Sequence, residues 1–181
     1  MDPHKQNQWV YTTINGVDQW TGCAPTAALN IMAYWAAQGY PSLNPTNSTS
    51  DITMQLRKDM GTWQSPSGAG TTDPNNIPLG MKQYASRAGL STPAANVTFA
   101  TFGTVVWEID LMRPVLQSYW SQSYFGDHTL VVVGYKEYVR SSGSNSQYVV
   151  ARNNWDGEPW NLYVKWGTWT ANTVTKFRPV Q

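Results

Sequence analysis

The period of the hydrophobic pattern changes once along the chain, and that change constrains the fold more than any other feature. In the first half, Ala27, Ala28, Ile31, Met32 and Trp35 recur at helical spacing. Pro25 suits the first turn of that helix, where its missing N–H costs nothing, and Gly39 stops it. A second helix is expected from Asp51 to Met60, ended by Gly61. A third runs from Ile77 to Ala88, with Asn76 as cap and Gly89 as stop, although Gly80 weakens it. Ahead of them, Trp9 to Ile14 is strand-like and Asn15-Gly16 is a turn pair. From about residue 95 the pattern alternates. Val97-Thr98-Phe99, Pro114-Val115-Leu116, Thr129 to Tyr135, Tyr148 to Ala151, Leu162 to Val164 and Val174 to Val180 all have strand character, with one short amphipathic helix over 104–112. The Ser-Gly-rich stretch 141–146 connects two strands as a hairpin loop. Helices first and antiparallel strands afterwards predict an α+β chain of one domain over 1–181, with 1–8 a flexible N-terminus and a cleft between the two halves.

Composition excludes several classes of function. The chain holds one cysteine and two histidines, so it has neither an intramolecular disulfide nor the ligands of a zinc cluster. A net charge of +1 offers no field for nucleic acid or for an anionic membrane. No run approaches the roughly 18 apolar residues of a membrane span. The low charged fraction, 13%, together with abundant Trp, Tyr, Asn, Ser and Thr, suits an exported bacterial domain. The first residues lack a basic segment followed by an apolar one, so no signal peptide is present in this sequence. The expected location is secreted or cell-surface.

Three residues carry candidate chemistry. Cys23 lies at the mouth of the first helix, in Gly22-Cys23-Ala24-Pro25-Thr26-Ala27. Unpaired N–H groups and the positive end of the helix dipole lower a thiol's pKa there, and can hold an oxyanion on a carbonyl that the sulfur attacks. A lone cysteine is more often a small buried hydrophobe, but Gly22 gives a sharp turn and open space before the sulfur. His128 opens the apolar strand Thr129 to Tyr135, at a strand end where a cleft lip would lie; alone, it better suits a surface or turn histidine. The other histidine, His4, falls in the N-terminal stretch. If an imidazole partners the thiol as general base, it is His128. Asn153 follows the strand Tyr148 to Ala151, where an amide oxygen can accept the second ring N–H and fix the tautomer. Asp156 is a competing orienter, and Trp155 can cover the bond from water. An Asn-Asn turn with a packing tryptophan explains the same residues without chemistry.

Taken together, these segments resemble the papain-like cysteine peptidases. Residues 22–35 resemble the nucleophile helix of the bacterial streptopain-like and bacteriocin-leader-peptidase-like families. Asp127 to Tyr135 resembles their histidine strand, and Tyr148 to Trp155 is similar to papain's segment carrying Asn-Ser-Trp. The resemblance spans roughly 15–166. It implies a papain-like fold and peptide-bond hydrolysis through a Cys23–His128–Asn153 triad and an acyl-thioester, with Trp155 as cover and no metal or cofactor. The family's oxyanion-hole glutamine falls where this chain has Val17; the nearest glutamine is Gln19, with Asn15 a fallback. The interval from His128 to Asn153 is also longer than usual, which loop 141–146 absorbs. The implied partner is a protein or peptide substrate, taken by a monomer that binds neither nucleic acid nor membrane. Three other readings compete: a cell-wall peptidoglycan amidase or endopeptidase with the same triad, a transamidase, and a non-catalytic peptide- or glycan-binding module. Trp20 and Trp63 are the tryptophans expected to border the cleft.

Overall fold

The computed structural model describes residues 10–14, 17–44, 49–66, 68–141, 143, 145–155 and 157–180, and of 10–14, 17 and 19 only the backbone. The expected turn at Asn15-Gly16 and the first eight residues lie outside them. Strand β1 (Val10–Ile14) is joined by a strand the hydrophobic pattern did not announce, β2 (Val17–Trp20), antiparallel to it with Ile14 opposite Val17. This hairpin leads straight into α1 (Cys23–Ala37).

Every residue of α1 from Ala24 to Met32 is buried, so its first half is enclosed rather than two-faced. It packs against α2 (Thr49–Asp59) on one side and against the sheet on the other. Small residues at Ala24, Ala27 and Ala28 keep it close to both neighbours. A two-stranded hairpin, β3 (Trp63–Gln64) and β4 (Gly70–Thr71), then precedes α3 (Asn76–Arg87). Asn76 is the first residue of α3 rather than its cap. The cap position is Asn75, whose side chain caps nothing and whose own N–H donates to Asp73 Oδ1 at 2.9 Å. Gly80 belongs where it stands, because a side chain there would run into the backbone and side chain of Met60 at the end of α2.

The remaining strands form one antiparallel sheet of six: β5 (Ala94–Thr98), β6 (Val115–Gln122), β7 (Gly126–Val139), β8 (Asn145–Arg152), β9 (Leu162–Lys165) and β10 (Ala171–Phe177). Their order is β5-β10-β6-β7-β8-β9. Strands β6 to β9 are a meander, whereas β10 crosses back to lie between β5 and β6. The segment 141–146 does join two strands, but β8 already begins at Asn145, opposite Val139.

Period-two alternation sorts the sheet's side chains onto two cores. Leu116, Val131, Ala94 and Phe177 face α1 to α3. Val115, Tyr119, Leu130, Val132, Val149 and Val174 face the other way, against Phe102 and Val105 of α4 (Phe102–Asp110). Fully burying each such large aliphatic side chain contributes about 1.5–3 kcal/mol. Glu108 of α4 is buried against this layer and paired with Lys176 Nζ at 3.2 Å and Arg113 Nη1 at 3.8 Å.

Candidate active site

Cys23 is the first residue of α1, so its backbone N–H and those of the next residues have no partner within the helix. The chain reaches it through Gly22, at φ 94°, a conformation open to glycine. The Gly22 carbonyl accepts the Thr26 hydroxyl at 2.8 Å, inside the first turn. The corner is held from outside as well. Arg57 of α2, buried, donates through Nη1 to the Thr21 carbonyl at 3.2 Å and through Nη2 to Gln64 Oε1. Gln64 in turn donates to the carbonyls of Trp20, at 3.2 Å, and Gly68, at 2.6 Å. The Trp20 N–H donates to the same Gly68 carbonyl at 3.0 Å. Hairpin β3–β4 is thereby fastened to the residues just before the sulfur.

His128 comes from β7, opposite Tyr119 of β6, beside the bulge that shifts the register between Tyr119 and Gln122. It is buried. Its Nε2 lies 2.8 Å from the main-chain oxygen of Asn153, which leaves the other ring nitrogen for the sulfur. The sequence assigned this contact to the Asn153 side chain. In the structure the Asn153 amide oxygen instead accepts the Trp155 N–H at 3.1 Å and closes the turn, while the peptide carbonyl meets the imidazole. The loop is tied to the nucleophile helix by Asn30 of α1, whose Nδ2 donates to Asn154 Oδ1 at 2.9 Å, with Asn154 at φ 62°. Phe125 lies with its ring centre 5.7 Å from that of His128, nearly parallel, and the Trp155 ring is 5.0 Å away. Trp155 thus packs beside the imidazole and beside Phe125, with which its ring makes an edge contact at 5.4 Å.

Cys23, His128 and Trp155 line one cleft of about 750 Å³. Trp20 and Trp63, both anticipated at its border, stand on its wall with Trp120, and Thr71 to Pro74 form another side. Burial disfavours the thiolate, but the hydrogen bond and charge of His128, with further hydrogen bonds from Thr129, outweigh it and hold the Cys23 pKa below its ordinary value. Burial likewise opposes a charged His128. The hydrogen bond and charge of Cys23, and the Asn153 carbonyl, more than offset this and raise its pKa. The two shifts have opposite signs and one origin, and both favour the thiolate–imidazolium pair over the neutral thiol and imidazole.

The Gln19 side chain, Asn15 and Asp156 lie outside the described residues. Several contributors had no signal in the sequence: Arg57, Gln64, Asn30 and Thr129. Each acts through a neighbour distant along the chain, except Thr129, which adjoins His128 and was absorbed into an apolar strand. Among the described residues no three His, Cys, Asp or Glu side chains are grouped as metal ligands, and no helix is long and apolar enough to cross a membrane.

A helix-borne thiol facing an imidazole across a cleft between helices and an antiparallel sheet defines a papain-like cysteine peptidase. The model of the Peptidase_C39 like family matches residues 2–171, and the chain belongs to that family; it is a cysteine-type peptidase. The structure is similar to that of active wild-type interpain A cysteine protease of Prevotella intermedia, with a TM-score of 0.63 and 12% identity, covering 97% of this chain and 89% of that one. At this identity the likeness concerns the fold. No curated protein matches the sequence.

Proposed function

We propose that the chain hydrolyses peptide bonds of protein or peptide substrates, with Cys23 as nucleophile, His128 as general acid and base, and Asn153 as orienter. The observation that supports this most is the mutual stabilisation of charge between Cys23 and His128 at the N-terminus of α1. The thiolate attacks the carbonyl carbon, and the oxyanion is held by the Cys23 backbone N–H, with Gln19 as the proposed second donor. His128 gives its proton to the departing amine nitrogen as the C–N bond breaks, leaving a thioester on Cys23. Neutral His128 then takes a proton from water, the resulting hydroxide attacks the thioester, and the acid product leaves as the thiolate is restored. Asn153 accepts from Nε2 through its peptide oxygen throughout, and Trp155 shields that bond.

The test is digestion of an unstructured protein such as casein, followed by mass spectrometry, with Cys23→Ala as control. New peptide termini that disappear in the variant support the reading. Intact casein with released muropeptides from isolated cell walls would replace it with the peptidoglycan reading. Transfer of the acyl group to an added amine in preference to water would favour a transamidase.

Asn153→Ala gives a second expectation. Because the peptide carbonyl, not the amide, meets His128, the variant keeps the orienting acceptor and loses the bond to the Trp155 N–H, an ordinary hydrogen bond worth about 0.5–1.5 kcal/mol. Its kcat/KM is expected to fall by about tenfold at most. A loss on the scale of removing His128 would return the orienting role to the side chain.

A further inference from the structure

Along the face of the sheet that meets α1, Leu116 and Val131 pack in one cluster with Ala24, Ala27 and Ala28. One alternation nearer the cleft, the same face carries Ser118 and Thr129, which are register partners across β6 and β7. An apolar pair would continue the core there. Instead the two side chains are hydroxyls, 2% and 5% exposed, with Ser118 Oγ and Thr129 Oγ1 2.8 Å apart. Two hydroxyls own two hydrogens, and their mutual bond uses one. Buried polar groups seek partners for what remains, and the cleft in front of this pair holds the Cys23 sulfur. The Thr129 backbone also bears on it. Strand β8 pairs with β7 only as far as Val131 and Arg152, so beyond that point it does not take up the β7 backbone.

We propose that Thr129, backed by Ser118, is a positioning residue for the Cys23 nucleophile: Ser118 donates to Thr129 Oγ1, and Thr129 donates to the sulfur. This rests on the reading of Cys23 as nucleophile. No bond is made or broken; a donor chain aimed at the sulfur stabilises its charged form over the neutral thiol and fixes its direction. Both Thr129 donors, hydroxyl and backbone N–H, act on Cys23 in the sense that favours the thiolate. The nucleophile is therefore gripped on two sides, by His128 and by the residue that follows it in the strand. Thr129 is a hydroxyl at a strand position where packing alone would choose valine.

The experiment uses the full chain with Thr129→Val, Thr129→Ser and Ser118→Ala, following thiolate absorbance and iodoacetamide labelling against pH, with melting curves as a check of folding. Thr129→Val is expected to move the thiolate titration up by about one pH unit, a tenfold loss of thiolate on the acid limb. Thr129→Ser is expected to restore the parent curve, and Ser118→Ala to shift it upward by less. A merely structural role would alter the melting curve without moving the titration. Thr129→Val titrating like the parent, or Thr129→Ser failing to restore the curve, would overturn the proposal. Should Thr129→Val not fold, Ser118→Ala decides, and an unmoved titration there overturns it as well. A parent chain whose thiol titrates in the ordinary range removes the nucleophile reading itself. A depressed parent with unmoved variants removes only the role of Thr129.

Discussion

His128→Ala is expected to return Cys23 to an ordinary thiol. In the parent chain iodoacetamide labelling should persist well below pH 7, because thiolate and imidazolium stabilise each other. The signs follow from the two shifts. The lowered Cys23 pKa places the acid limb of the profile below that of a free thiol, where protonating the sulfur ends reactivity. The raised His128 pKa places the basic limb above that of a free imidazole, where loss of its proton removes the acid needed by the leaving amine. Removing the imidazole deletes the largest stabilising influences on the thiolate and leaves those of Thr129. Labelling near pH 6 should then fall steeply and the acid limb move toward about 8.5. Peptide hydrolysis, which also needs the proton transfers, should drop on the order of 10⁴-fold. An unchanged labelling profile in the variant would sink the pair, and with it the proposed mechanism.

The second large effect is expected from Gly22→Ala. At φ 94° an L-residue is strained, and the added methyl would also lie closer to the Gly70 carbonyl than real Cβ atoms come. Gly70 is held in place by its pairing with Gln64 across the β3–β4 hairpin, and Gln64 is itself bound to the Trp20 carbonyl. Strain of about 1–3 kcal/mol is thus joined by overpacking of similar size, about 1–3 kcal/mol. The corner that aims the sulfur must shift, so we expect a lower unfolding midpoint in denaturant together with slower Cys23 labelling at pH 6. Gly39→Ala separates the two causes. Its φ is 105°, yet nothing lies within 4 Å of the added carbon. It should show the strain alone and leave labelling untouched. Equal effects at the two positions would mean that crowding against Gly70 plays no part.

Much of the helical half was legible because its signals are local. Pro25 and Gly39 bracket α1, and the apolar spacing of Ile52 and Leu56 needs no knowledge of what they pack against. Cys23 could be placed at a helix mouth and His128 at a strand head for the same reason. What was not legible depends on chain segments meeting. Strand β10 could be recognised as a strand, but its insertion between β5 and β6 is a matter of which edges were left to pair. The short strands β3 and β4 carry almost no periodicity, yet they fasten the nucleophile corner through Gln64. Arg57 carried no signal in the sequence; it is buried because its guanidinium answers a carbonyl 36 positions away.

By itself, then, the sequence determined the α+β order of elements, the one thiol and the imidazole proposed to partner it, and the lack of a disulfide within these residues, since each follows from composition or from neighbours along the chain. The tertiary structure decided the rest. It chose the peptide carbonyl of Asn153 over its amide, paired the buried hydroxyls of Ser118 and Thr129 on the wall of the cleft, and locked the turn at Gly22 with backbone from Gly70. Hydrogen-bond geometry is set to within tenths of an ångström by packing between distant segments, whereas the hydrophobic period of a sequence reports only which face of each element turns inward.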